Sequence, residues 1–515
     1  MVLVHLEMFI RKKKNKSGST SVQILQKEKG NNKLIKSIGS AIEEADIALL
    51  VSKARHELQC LNKQRSLFVS ETDASIEGFI SELTNGQIRT VGPELVFGKI
   101  YDHIGYGKID NELFRHLVIA RLAFPLSKLK TIEYLYRFRG VMLDLDTVYR
   151  FLDKLNNELK QQVEQISFMH TKKALNNELS IVFYDLTTLY FEASDEDDLR
   201  KTGFSKDGKH SNPQIYLGLL VGLGGYAIGY EIFEGNIYEG HTLIPFIEKT
   251  TQRFDLNKPI IVADTGLLSN NNINKLQQQG YEYIIGARIK NESREVVEKI
   301  LSYDFNPGDY IVIDKEDSRL IVQYSVNRAK KDAHNRQRGL KRLEKQLKSG
   351  RLTKQHINNR GYNKYLKMQG DVLISIDKDK YEQDEKWDGL KGYITNCKQQ
   401  PSVIIEHYKN LWHIEKAFRI SKTDLRIRPI YHRLRHRIEA HICLAFVAYT
   451  IYKELERVLK QELYPLSVEK AAEITHNMYQ VEITLPESRK VKNILLKMDL
   501  MQARLIQIVS QNYSG

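Results

Sequence analysis

The chain is poor in cysteine, proline and tryptophan, with three, ten and two of each in 515 residues. Cys60, Cys397 and Cys443 lie far apart and make no CxxC or Cys/His spacing. They therefore argue against both a disulfide framework and a zinc site, and a reducing compartment is the simplest reading. Nor do His241, His413, His432, His436 and His441 show zinc spacing with cysteine. Few prolines, no long low-complexity tract, and a composition 42% hydrophobic and 28% charged argue against a mostly disordered chain. A long hydrophobic run is also missing. The longest, Ile215 to Tyr230, is shorter than the ~20 residues of a membrane span and contains five glycines. At the N-terminus an apolar run, Val2 to Ile10, precedes Arg11-Lys12-Lys13-Lys14, the reverse of a secretory signal. The expected location is cytoplasmic, without a membrane partner.

Basic charge is plentiful. Lys and Arg outnumber Asp and Glu by 78 to 64, a net +14, which favours polyanionic partners without proving one. The length predicts two to four domains at roughly 100–200 residues each. Residues 1–85 read as a hairpin (Val2–Ile10 and Thr20–Gln26) followed by a helix from Ile42 to Lys63. Residues 86–175 read as a helical region able to bind DNA, with apolar Val148, Phe151, Leu155 and Leu159 at helical spacing and Tyr149, Arg150 and Lys154 as its basic face.

From Ile181 the pattern turns to strands. Ile181–Phe191 is rich in β-branched and aromatic residues, and Ile215–Leu223 and Tyr226–Phe233 form a hairpin about Gly224-Gly225. A helix (Thr242–Phe254), a strand (Pro259–Ala263), a helix (Asn271–Gln279) and a strand (Tyr281–Ala287) follow. The order βββαβαβ predicts an α/β fold, a mixed sheet with helices packed on it, which is the order of a ribonuclease H-like core. Residues 176–288 are its first part. Residues 289–400 form an insertion with short strands and, between 327 and 365, 13 Lys or Arg against two acids. Such a run is usually a solvated face, with phosphate contact as the rival reading. A helix over 403–422 resumes the core within 401–450, and 451–515 is helical.

Asp185 falls in the first strand and Asp264 at the C-terminal end of the fourth, where open α/β sheets present functional groups. Singly, each reads as a turn former or helix cap. In the 403–422 helix, Tyr408, Leu411, Glu415 and Lys422 share one face. In this strand order the three carboxylates converge. The run Asp195-Glu196-Asp197-Asp198 reads as a solvated loop in which Asp197 has no role, and Trp412 as a core anchor.

These residues resemble the bacterial insertion-sequence DDE transposases of the IS-four superfamily, whose signature is Tyr, two residues, Arg, three residues, Glu, six residues, Lys. Tyr408, Glu415 and Lys422 match it, with Leu411 at the arginine position. Tyr184-Asp185-Leu-Thr-Thr, Ala263-Asp264-Thr-Gly266, Trp387 to Asn396 and Arg428-Pro-Ile-Tyr-His432 are also similar. The resemblance implies that Asp185, Asp264 and Glu415 hold two Mg²⁺ ions, with Mn²⁺ able to substitute, for cleavage at transposon ends and strand transfer. It further implies DNA contacts from Tyr408, Lys422 and Arg419, and a role for Trp387 beside a flipped base. The basic residues Arg336, Arg338, Lys341 and Arg342 are expected at phosphates. The implied partners are double-stranded DNA with terminal inverted repeats, target DNA, and a second copy of the chain in the paired complex. A nuclease that cuts without joining and a non-catalytic DNA-binding protein are the alternatives.

Overall fold

The computed structural model describes residues 8–28, 30–61, 71–81, 83–267, 269–358, 361–369, 373–485 and 488–513. It divides into two compact units, residues 1–87 with 483–492 and residues 88–482 with 493–515. In the first, β1 (Met8–Lys14), β2 (Thr20–Glu28) and β3 (Asn31–Ala41) form an antiparallel sheet in that order. The helix α1 (Glu44–Leu61) covers it, burying Ala54 against Val22 and Ile24. The unit also contains α2 (Glu71–Ser81). The expected hairpin is present from Met8 onward, Val2 to Glu7 lie outside the described residues, and β3 is an addition.

The second unit begins with β4 (Ile88–Thr90) and a helical array: α3 (Lys99–Ile104), α4 (Glu112–Ala123), α5 (Lys128–Tyr134), α6 (Leu145–Lys154) and α7 (Lys160–Ala174). Asn111, Ser127 and Asp144 cap α4, α5 and α6 with side-chain oxygens, as short polar residues do at helix starts. The order βββαβαβ follows: β5 (Ile181–Tyr190), β6 (Gln214–Val221), β7 (Ala227–Glu234), α8 (Leu243–Phe254), β8 (Ile260–Ala263), α9 (Asn270–Gln278) and β9 (Tyr283–Ala287). Beyond them come α10 (Arg294–Ser302), β10 (Tyr310–Asp314), β11 (Arg319–Tyr324), α11 (Val326–Lys348), β12 (Leu366–Gln369), β13 (Leu373–Ile376), α12 (Lys378–Glu385) and β14 (Leu390–Thr395). The chain continues through α13 (Pro401–Lys409), α14 (Trp412–Arg419), α15 (Arg435–Gln461), α16 (Val468–Thr475), β15 (Tyr479–Thr484), β16 (Val491–Leu495) and α17 (Leu500–Asn512).

One eight-stranded mixed sheet, in the order β10-β11-β14-β9-β8-β5-β6-β7, organises the unit. β5 runs antiparallel to β6 and parallel to β8, and β8 is parallel to β9. The 289–400 interval therefore does not stand wholly apart: β10, β11 and β14 extend the central sheet past β9, while α11, β12, β13 and α12 lie outside it. β5 explains the layering. Side chains alternate across a strand, so Ile181, Phe183 and Leu189 enter the core that includes α15, while Val182, Tyr184 and Leu186 enter the opposite core with α8 and α9. Asp185 is in phase with Phe183 and so belongs to the face on which α14 packs. No helix among the described residues is long and apolar enough to cross a membrane.

Candidate active site

The parallel register of β5 and β8 pairs Tyr184 with Ala263. The next residue along each chain segment is an aspartate, Asp185 within β5 and Asp264 just past the end of β8, so the two follow a paired position side by side. Burial pushes the Asp185 carboxyl up to about 6; Lys206 opposes the shift, and Asp264 and Glu239 reinforce it. Lys206 Nζ lies 3.6 Å from Asp185 and 3.4 Å from Glu239, and donates to the Leu186 carbonyl at 2.8 Å. The aspartate pair thus has a third carboxylate and a resident cation beside it.

Asp264 is held from the other side. The Tyr408 hydroxyl of α13 donates to its Oδ1 at 2.9 Å, and Lys391 of β14 sits 4.4 Å from the centre of the Tyr408 ring. Gly286 on β9 makes this approach possible, because a Cβ there would collide with the Tyr408 hydroxyl and with Thr265. Lys391 is largely buried, which lowers its pKa, and Asp264 and Glu415 both act to raise it. Lys391 is thus electrostatically linked to both carboxylates.

Glu415 is exposed on α14, which packs on β5 and β6. Among the described residues no three His, Cys, Asp or Glu side chains are gathered closely enough to hold one metal ion. The sheet therefore juxtaposes Asp185 and Asp264, while Glu415 lies exposed on a separate helix. The oxygen donors nevertheless suit a hard cation: two adjacent carboxylates, one with its pKa raised by burial and like charge, beside lysines that partly offset them.

The expected single helix over 403–422 is interrupted. α13 ends at Lys409, Asn410 and Leu411 form a turn, and α14 gives way to a π-helical turn, Ile420–Asp424. Asparagine competes with the helix through its own side chain, and here it is the C-cap of α13. Tyr408 and Glu415 consequently sit on different helices. Leu411 is buried. Lys422 lies in the π-turn, paired with Asp207 at 3.1 Å, and Arg428 shares that carboxylate at 2.5 Å. Arg419 is exposed.

Three expectations are corrected. Trp412 is not a core anchor: it is 48% exposed, lying against His413 with Lys416 over its ring. Arg336 is not a free surface cation. It is only 7% exposed, bonds Asp388 at 2.6 Å and lies over the Tyr381 ring at 4.8 Å, because Leu343 and Gly339 turn the same face of α11 inward. Asp197 is not an idle loop acid, since it accepts from the backbone of Leu199 and Arg200 and pairs with the Arg200 guanidinium at 2.7 Å. Arg338, Lys341 and Arg342 are exposed on α11.

A cleft of about 700 Å³ opens beside Asp264, lined also by Lys391, Arg328, Lys290, Lys364 and Trp387. Trp387 is half-buried with the Lys290 ammonium 5.6 Å from its ring centre. Sequence reasoning missed Glu239, Lys206 and Lys391. Glu239 and Lys206 lie in connections with no periodic signal, and Lys391 stood unremarked inside the Trp387–Asn396 segment.

A transposase DDE domain model matches residues 176–451, more than half of the chain. A comparison with curated proteins finds no match. Among solved structures, the chain is similar to the piggyBac transposase synaptic complex with hairpin DNA, at 9% identity and TM-score 0.38, covering 75% of this chain and 78% of that one. It is also similar to the Drosophila P element transposase strand transfer complex, at 10% identity and TM-score 0.24, covering 78% and 90%. The Mos1 transposase paired-end complex with left transposon end aligns at 12% identity and TM-score 0.16, covering 34% and 58%. The matched interval runs from just before the Asp185 strand to the middle of α15 and takes in both aspartates and the Glu415 helix, so the protein belongs to the DDE transposase family.

Proposed function

We propose that this transposase uses Asp185, Asp264 and Glu415 as its catalytic carboxylates, on a ribonuclease H-like core of the IS-four superfamily, to cleave DNA at transposon ends and transfer the freed strand into target DNA. The observation that carries the reading is the register of β5 and β8, which places Asp185 and Asp264 side by side. Glu415, on α14, supports the reading through Lys391, on which both it and Asp264 act electrostatically. The three carboxylates would hold two Mg²⁺ ions, which when bound supply a Lewis acid for the attacking and leaving oxygens.

The chain's own residues do the positioning. Tyr408 fixes the orientation of Asp264 through its hydroxyl. Lys206 holds Asp185 and Glu239 together by offsetting their charge. Lys391 and Lys422 present ammonium groups for phosphate oxygens, Lys422 exchanging Asp207 for DNA. Exposed Arg419, Arg338, Lys341 and Arg342 add electrostatic attraction along the duplex, and Trp387 offers an aromatic face beside the Asp264 cleft. Two copies pair the two ends.

The test is incubation of the purified protein with DNA carrying candidate terminal inverted repeats, with and without Mg²⁺, following nicked and joined products. Asp185→Asn, Asp264→Asn and Glu415→Gln should each lose cleavage by orders of magnitude while binding DNA, with no further loss on combination because the groups act as a unit. Asp195→Asn, in the exposed acidic loop, is the control. Substantial Mg²⁺-dependent cleavage by one variant removes that residue from the set. Nicking without any joined product replaces the reading by a nuclease.

A further inference from the structure

A second pocket, of about 570 Å³, lies among the ends of α4, α5 and α6, the 426–432 segment and α15. Two of its lining residues are cations withdrawn from solvent: Arg121 is 5% exposed and Lys128 7%. Burying a charge is costly unless it is paired. Among the described residues, neither cation has a carboxylate within ion-pairing distance. The nearby charges are engaged elsewhere, Lys130 with Glu133 and Arg437 with Asp153.

Arg121 meets only the carbonyls of Leu425 and Arg426, through Nη1 at 3.5 and 3.4 Å. Lys128 Nζ lies 3.4 Å from His441 Nδ1, and His441 Nε2 lies 2.9 Å from the Ile427 carbonyl. With Nε2 facing a carbonyl, the histidine carries its proton there and accepts from Lys128, so it is neutral. His432, 5.4 Å from His441 between ring centres, and Tyr149 complete the wall. The arrangement is two buried basic side chains without a carboxylate at the base of a cavity whose other walls mix aromatic and aliphatic side chains with Lys130, Arg426 and Arg428, a complement to a phosphate joined to a sugar.

We propose that this pocket binds a phosphodiester of a DNA strand, with Arg121 and Lys128 as its charged base. The source of the phosphate follows from continuity. The 426–432 segment that borders the pocket through Arg426 also carries Arg428, which shares Asp207 with Lys422. A strand passing Lys422 is thereby led toward Arg121 and Lys128. The proposal rests on the DNA-binding reading above and adds a phosphate site outside the carboxylate cleft.

The experiment compares the full chain with its Lys128→Met variant in two measurements: thermal unfolding with and without inorganic phosphate, and affinity for a random-sequence duplex across salt concentrations. In phosphate-free buffer the variant should melt at the same or a higher temperature, since a buried unpaired charge is removed. Phosphate should raise the melting temperature of the parent and leave the variant unmoved. The slope of log K against log salt should become shallower by about 0.9, the loss of one phosphate contact. A variant that melts well below the parent without phosphate overturns the proposal, because the lysine is then structural. No response to phosphate together with an unchanged slope also overturns it. Protection by phosphate with an unchanged slope overturns the DNA assignment and makes the ligand a free phosphate. Failure of the parent to bind duplex at all would instead strike the DNA reading, which the phosphate measurement does not require.

Discussion

Replacing Asp185 by Asn should stabilise the protein while removing its activity, and the pH dependence of the gain can be worked from the site. Burial places the Asp185 carboxyl at about 6 against an ordinary value of 3.8. A carboxyl raised in the folded state binds its proton more tightly there than in the unfolded chain. Between roughly pH 4 and 6 the folded state therefore holds more protons, and stability falls as pH rises through that window. Above it the full cost of the buried charge is present, about 3 kcal/mol at 1.36 kcal/mol per tenfold. Solvent reaches 24% of the side chain, which reduces the expected figure to about 1–3 kcal/mol. Asn keeps the size without the charge. Denaturant unfolding in metal-free buffer should show Asp185→Asn more stable than the parent at pH 8, with the difference fading by pH 4. A variant less stable at pH 8, or a difference independent of pH, would refute the burial argument. Added Mg²⁺ should then stabilise the parent and not the variant, since ions that bind only the folded state add to its stability.

Arg336→Ala should destabilise by about 2–4 kcal/mol, because it removes a buried arginine and leaves the half-buried Asp388 without its closest cation. Urea unfolding of the variant reads this directly, and a change under ~1 kcal/mol would show the pair to be dispensable. Replacing exposed Arg338, Lys341 and Arg342 together by Ala should leave stability unchanged and flatten the salt dependence of DNA affinity by up to about 0.9 per contact. An unchanged slope makes that face of α11 merely solvated.

The order of strands and helices from β5 to β9 was legible in the sequence because each element carries its own period and its own turn. Gly224-Gly225 closes the β6–β7 hairpin with positive φ at both residues, and the near-continuous apolar run of β5 marks a strand buried on both faces. The same local logic pointed to Asp185 and Asp264 at strand positions, and to Glu415 and Lys422 through the spacing of a helical motif. What the sequence could not contain was register and burial. That Asp185 and Asp264 are neighbours follows from Tyr184 pairing with Ala263 across 79 residues of chain. That Glu239 and Lys206 join them follows from connections folding back over the sheet, and that Lys391 does follows from β14 pairing beside β9. Charge alone made Arg336 look like Arg338, and size alone made Trp412 look like core. Only packing separated them, because the side of a helix that turns inward is decided by what it meets: Arg336 meets Asp388 and Tyr381, whereas Trp412 meets solvent.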